Sequence, residues 1–253
     1  MKYIRFKFND TIHSGILDGN KAIEICNFSF EDSDHILGLE VPISQIQILQ
    51  PVIPSKVIGL AYNYKDLVGK QESYDEPLIF IKPSTSVIGP GETIYVHEGK
   101  KTWAEVEIAI VIKKTCKNVS VENANQFIFG YTIGNDVTME NIYGRDHHLA
   151  RSKSHDSFCP LGSYINTEFI AGNIKLENRI NDQLFQSGNS SNRIFNDFEA
   201  VSLISKFITL YAGDVILTGT PANAMNSLIT DGDIVSLKVD YLGELNNPVK
   251  YIL

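Results

Sequence analysis

Three observations on the sequence predict a mainly β (α+β) fold. Runs of strand length, alternating or wholly apolar, recur along the chain. Helical periodicity is confined to two short stretches. Strands and helices do not alternate as a parallel βαβ sheet requires. At the start, Ile4, Phe6 and Phe8 fall on one face of a strand and Tyr3, Arg5 and Lys7 on the other. Leu17-Asp-Gly-Asn20 then turns the chain into Ala22-Ile-Glu-Ile-Cys26, a hairpin pattern. Pro51 and Pro54 punctuate the chain next, so residues 1–52 read as a small β-rich N-terminal domain and 53–253 as a second, larger one. Beyond them lie the strand runs 56–60, 78–82, 105–112, 214–219 and 233–239. The helical stretches are Val121–Phe129, with Ser120 as its cap, and Asp197–Phe207. In the latter, Asp197 would cap and Phe198, Val201, Ile204 and Ile208 would share an apolar face.

Composition narrows the function. The chain has 253 residues, 43% hydrophobic and 21% charged, which is ordinary globular usage. Its 22 basic and 30 acidic residues leave a net charge of −8. Nucleic-acid binding is therefore not expected, because a duplex is held by clustered cations. The three cysteines, Cys26, Cys116 and Cys159, are too scattered for a disulfide framework or a zinc knuckle. No signal peptide, membrane span or membrane partner is expected, and the chain reads as a cytoplasmic protein with reduced thiols.

The chemistry concentrates in a few places. In Thr102-Trp-Ala-Glu-Val-Glu-Ile-Ala-Ile-Val-Ile112 one strand face is wholly apolar. The other carries Trp103, Glu105, Glu107, Ala109 and Val111, with its two carboxylates about 7 Å apart at roughly 3.4 Å per residue. Like charges in an apolar setting repel each other and resist desolvation, and a cation would relieve both. Asp136, ending the strand pattern Gly130–Asn135, would add a third carboxylate, and three hard oxygens suit Mg²⁺ or Mn²⁺. Lys153, His155 and Ser157 would share a strand face. The Gly219-Thr220-Pro221 corner could hold an anion on its amides and hydroxyl.

Taken in order, the elements resemble the fumarylacetoacetate hydrolase family. They are Phe80-Ile-Lys-Pro83, Glu105-Val-Glu107, Gly130-Tyr-Thr132 with Asn135-Asp-Val-Thr138, Lys153 with Pro160-Leu-Gly162, Gln186-Ser-Gly188, Gly213–Pro221, and Gly232-Asp233 leading to Val249. The resemblance implies a rolled, mixed β-sandwich, usually a homodimer. It implies a divalent metal on Glu105, Glu107 and Asp136, with Lys153 as the active-site lysine and Thr220 as a substrate-binding residue. The implied substrate is a small anionic 2-oxo or 2,4-dioxo acid. C–C hydrolysis is the default reaction, with enol isomerisation, decarboxylation or hydration as alternatives.

The chain departs from the family where protons move. The family's lid carries a His and a Glu, and here those positions are Leu67 and Lys70. Its Arg, Asp and Gln are replaced by Glu140, Asn141 and Tyr143. A metal- and ligand-binding homologue without turnover is therefore the reading from another class. His155 is the first candidate for a replacement base, then Glu72 and Asp66, whereas His147 and His148 read as solvated. The stretch from Tyr64 to Asp75 reads as a lid with Gly69 as its hinge. Lys153 is expected to serve the bound anion and to contribute little to the fold.

Overall fold

The computed structural model of the chain describes residues 1–26, 30, 36–68 and 75–252. It is built mostly from strands, as the sequence predicts. The leading strands are β1 (Lys2–Phe8), β2 (Thr11–Asp18), β3 (Lys21–Ile25), β4 (Ile36–Pro42) and β5 (Gln47–Ile48). Then come β6 (Lys56–Ala61), the single turn α1 (Lys65–Val68), β7 (Leu78–Pro83), β8 (Val87–Ile88), β9 (Ile94–Val96) and β10 (Thr102–Trp103). The central hairpin is β11 (Val106–Ile112) and β12 (Ile128–Asn135), followed by β13 (Thr138–Met139) and the short α2 (Ala150–Lys153). The chain continues through β14 (Cys159–Pro160), β15 (Ile165–Asn166), β16 (Lys175–Ile180) and β17 (Gln183–Asn189). It ends with α3 (Asp197–Phe207), β18 (Val215–Leu217), β19 (Ile234–Val239) and β20 (Gly243–Tyr251).

Among the described residues, eleven strands form one sheet in the order β4-β3-β2-β1-β15-β12-β11-β18-β6-β7, with β5 also on β1. A second sheet runs β17-β16-β19-β20-β9. Both are mixed: β18 lies parallel to β6 and β20 parallel to β9, while the other pairings within them are antiparallel. The leading strands join the large sheet through β1, where Tyr3 pairs with Ile165 of β15.

The central strand β11 explains why this arrangement is stable. All seven of its residues are buried. Val106, Ile108, Ile110 and Ile112 pack into the core shared with Leu176, Leu237 and Leu245 of the second sheet. Ala109 and Val111 pack on the opposite face, against Tyr3, Val57 and Leu217. The strict alternation read from the sequence thus sorts this strand into two cores. Each fully buried Ile or Val stabilises the fold by about 1.5–3 kcal/mol.

The helical stretches differ from expectation in detail. Val121–Phe127 is a 3₁₀-helix, and the Ser120 side chain makes no capping bond. At α3 the cap is Asn196 and not Asp197: its Oδ1 accepts from Phe198 N at 2.9 Å and Glu199 N at 3.1 Å, while Glu199 Oε2 accepts from Asn196 N at 2.8 Å. Asp197 is instead buried against Arg193, at 2.5 Å, and the Tyr131 hydroxyl, at 3.2 Å. Of the expected apolar face, Val201, Ile204 and Ile208 pack on the core, joined by Ala200, while Phe198 is exposed. Asn196→Ala is expected to lower stability by about 1 kcal/mol, the usual worth of such a cap. A urea titration checks this, and an unchanged midpoint would mean that the cap contributes nothing here.

No helix among the described residues is long and apolar enough to cross a membrane.

Candidate metal centre

The β11–β12 hairpin sets the three carboxylates. Its register places Val106 opposite Asn135 and Glu107 opposite Gly134. One residue further out, the Asp136 amide donates to the Glu105 carbonyl at 3.0 Å. The Asn135 side chain, in turn, accepts from the Glu105 amide at 3.1 Å. Glu105, Glu107 and Asp136 thereby offer oxygens that all lie within 4.8 Å of one another.

Each carboxylate is held by a different part of the fold. Glu105 Oε1 accepts from the Trp103 indole at 2.6 Å. Glu107 Oε2 accepts from the Gly219 amide at 2.6 Å. Asp136 is gripped by two ammonium groups, Lys82 on Oδ1 and Lys153 on Oδ2, the latter at 2.5 Å. Lys153 also reaches Glu105 Oε2 at 3.2 Å and the Thr138 hydroxyl at 2.6 Å. Its Nζ lies 4.8 Å from the centre of the Phe80 ring. That ring sits directly over Gly59, where any side chain would collide with it.

The electrostatics call for more positive charge. Three carboxylates face two ammonium groups in a site where Glu107 and Asp136 are each about 1% exposed. Burial, then Asp136 and Glu105, push the Glu107 carboxyl well above its usual range. Burial also pushes Asp136 upward, but Lys153 and Lys82 overcome it and hold that group below its usual range. Lys153 is raised in return: its burial is outweighed by Asp136 and Glu105. Three hard oxygen donors with unbalanced negative charge fit a divalent cation of the oxygen-preferring kind.

The carboxylates form the floor of a cavity of about 530 Å³, within the usual range for small-molecule sites. Lys153, Thr220, Tyr62, Leu67 and Met225 are among its other lining residues.

Several expectations are corrected by this geometry. Lys153 and His155 do not share a strand face, because α2 ends at Lys153 and a turn with Ser157 at φ 69° follows. The His155 ring turns instead to Phe158, at 4.8 Å between centroids, and its Nδ1 faces His97 Nε2 at 3.4 Å. His155 is not among the residues that line the cavity. Lys153 does more than wait for an anion, since its buried ammonium already bridges Glu105, Asp136 and Thr138. Asp146 anchors the helix that presents it, accepting from the Ser152 amide and hydroxyl, each at 2.8 Å.

At the Gly219-Thr220 corner the Gly219 amide is taken by the chain's own Glu107 carboxyl. Thr220 faces the cavity with its hydroxyl donating to Val106 O at 2.9 Å and accepting from Gln186 at 3.0 Å. Leu67 lies on α1 and lines the cavity, while Asp66 is exposed. His147 and His148 are exposed. Gly69, Lys70 and Glu72 lie outside the described residues.

Sequence reasoning missed Lys82 and Thr138 as parts of the site. Lys82 had a signal: a cation on the same strand face as Phe80, in an otherwise apolar run. Also missed was the role of Asn63, whose amide donates to Thr218 O at 2.8 Å and Phe195 O at 3.1 Å.

Comparison with known proteins shows the family. Residues 56–250 match the family model described as fumarylacetoacetate (FAA) hydrolase C-terminal. A mitochondrial oxaloacetate tautomerase of Xenopus laevis is 32% identical over 91% of this chain and 76% of its own length. An oxaloacetate tautomerase of Bacillus subtilis is 30% identical over 92% of this chain and 84% of its own. Among solved structures, a 5-carboxymethyl-2-hydroxymuconate delta-isomerase from Mycobacterium smegmatis superposes with a TM-score of 0.92 at 35% identity, covering 100% of both chains.

Proposed function

The chain belongs to the fumarylacetoacetate hydrolase family, an enzyme family, and from that premise we propose that it interconverts the enol and keto forms of a small 2-oxo acid. The metal would be Mg²⁺ or Mn²⁺, held by Glu105, Glu107 and Asp136.

The observation that carries this reading is Leu67. It lines the cavity, and the family resemblance puts the lid histidine at its position; no histidine lines the cavity among the described residues. C–C hydrolysis needs a base to activate water as well as an electrophile. Enol–keto exchange only moves a proton between carbon and oxygen, and needs no water nucleophile. Relatives at 30–35% identity that are named tautomerase or isomerase support the same choice.

A bound divalent cation would polarise the vicinal oxygens of the acid and favour the enolate. The chain's own groups place charge around the acid, and solvent water would take the proton from oxygen and return one to carbon. Lys153 keeps its proton, because the surrounding carboxylates raise its affinity for it. Its ammonium therefore supplies lasting positive charge beside the acid's oxygens. Trp103 and Gly219 hold Glu105 and Glu107 by hydrogen bonds, so the ligand oxygens need little reorganisation on binding.

The test compares two reactions in the presence of Mg²⁺ or Mn²⁺. Absorbance reports the loss of enol from oxaloacetate and phenylpyruvate, and coupled assay reports pyruvate released from acetylpyruvate. Enol loss is expected to accelerate in a metal-dependent way. Pyruvate release is expected to be absent, or slower than a base-assisted hydrolase by about 10²–10⁴. Pyruvate release outpacing enol loss would overturn the reading.

A further inference from the structure

Outside the carboxylate centre, two histidines from distant parts of the chain face each other. His97 follows β9, and His155 lies in the turn after α2. His97 Nε2 and His155 Nδ1 stand 3.4 Å apart, with the ring centres at 5.0 Å and the ring planes at 67°. Both residues are half-buried, so the pair meets solvent. The His155 ring also rests on Phe158, at 4.8 Å between centroids, which limits where it can turn.

The separation of the two nitrogens bears on what they share. A proton between them would make an N–H···N hydrogen bond, for which about 3.0 Å is ordinary. A metal ion about 2.0–2.1 Å from each nitrogen, with a tetrahedral angle between them, sets the nitrogens about 3.4 Å apart. The observed distance matches the second arrangement. Burial, then His97, lower the His155 imidazole's affinity for a proton, so at neutral pH the ring is uncharged and has a lone pair to give. Neutral imidazole suits Zn²⁺, Ni²⁺ and Cu²⁺, whereas the carboxylate centre suits Mg²⁺ or Mn²⁺. Each histidine is followed in the chain by an exposed acid, Glu98 and Asp156, whose charge favours a cation at the pair against the opposing charge of Arg151.

We propose that His97 and His155 form a second cation site, which takes Zn²⁺ in tetrahedral coordination with water at the positions the two rings leave. The proposal is independent of the enol–keto reading of the carboxylate centre. An ion at the pair would tie the chain after β9 to the segment that follows Lys153. That segment already reaches both neighbours: Ser157 Oγ accepts from the Tyr95 amide at 2.9 Å, and the Phe158 carbonyl accepts from the Val137 amide at 3.1 Å. Val137 directly follows Asp136, so the second site adjoins the first through the backbone while using none of its three carboxylates.

Calorimetric titration with Zn²⁺, in excess Mg²⁺ to hold the carboxylate centre, tests this. The unaltered protein is expected to bind one more Zn²⁺ per chain than His155→Phe or His97→Gln, or to bind it more than about tenfold more tightly, since even outer-shell partners of metal ligands are worth about 10–100-fold. His147→Asn, at an exposed position, is the control and should bind Zn²⁺ as the unaltered protein does. Co²⁺ reports the geometry, because a tetrahedral site absorbs visible light far more strongly than an octahedral oxygen site. That absorbance should appear in the unaltered protein and be missing from both variants. Either variant decides the matter once its cooperative unfolding without Zn²⁺ shows that it is folded. Equal Zn²⁺ stoichiometry and affinity in the unaltered protein and the folded variants would overturn the proposal. Loss of the extra Zn²⁺ in His147→Asn, or Co²⁺ absorbance that both variants keep, would overturn it as well.

Discussion

Replacing Lys82 by methionine is expected to cost the folded protein about 3–5 kcal/mol, the range for breaking a buried ion pair from one side. Lys82 is 0% exposed. Its ammonium bonds Asp136 and, at 3.2 Å, the Val137 carbonyl. Methionine fills nearly the same volume, so the loss comes from charge and not from a cavity. Asp136 would keep Lys153 alone, with three buried carboxylates left to share one ammonium. Lys238, paired with Glu244 at 3.6 Å and with both side chains more than half exposed, serves as the control. Lys238→Met should cost no more than about 1 kcal/mol. Urea unfolding of the three proteins in EDTA measures the difference. A loss below about 1 kcal/mol for Lys82→Met would show that this buried pair is not what holds the site's floor.

Glu107→Ala is expected to weaken Mn²⁺ binding by more than about 100-fold, since even outer-shell partners of metal ligands are worth about 10–100-fold. The single tryptophan, Trp103, donates to Glu105 and so reports on the site directly. Quenching of its fluorescence by Mn²⁺ gives the affinity. The sign with pH follows from the carboxyl itself. Glu107 binds its proton more tightly than an ordinary glutamate, because of burial and then Asp136 and Glu105. Metal uptake must release that proton, so apparent affinity falls as pH falls and rises as pH rises through the raised value. Undiminished quenching of Glu107→Ala would remove Glu107 from the ligand set.

The parts of this site that were legible in the sequence are those fixed by local periodicity. Alternation in β11 put Glu105 and Glu107 on one side and the isoleucines on the other, and the fold keeps both assignments. Asp136 was legible as a third carboxylate and through the family motif Asn135-Asp-Val-Thr138, since by itself an acid closing a strand pattern commonly serves a turn. What periodicity could not supply was direction at chain reversals. Lys153 and His155 differ by two positions, which in a strand means one face. The helical turn ending at Lys153 and the left-handed Ser157 send the two side chains apart. The cap of α3 was misplaced by one residue for a similar reason. Asn196 and Asp197 are both good caps, and the choice was made by Arg193 and Tyr131, which claim Asp197 from outside the helix. Lys82 escaped notice because a strand lysine is normally solvated, and only the distant Asp136 makes its burial tolerable.

One peptide group joins Asn63 to the carboxylate cluster. The carbonyl of Thr218 accepts from Asn63, which precedes α1, and the amide of Gly219, in the same peptide plane, donates to Glu107. Gly219 has φ 90°, and a side chain there would press on Asn63 and Leu60. Hydrogen bonds in series polarise one another, so the grip on Asn63 tunes the grip on Glu107. In grafting or recombination between homologues, the segment after Asn63 is therefore not an independent cassette. Residues transplanted after Asn63 keep their donor's effect on Glu107 only when Asn63 and the Thr218–Gly219 peptide travel with them.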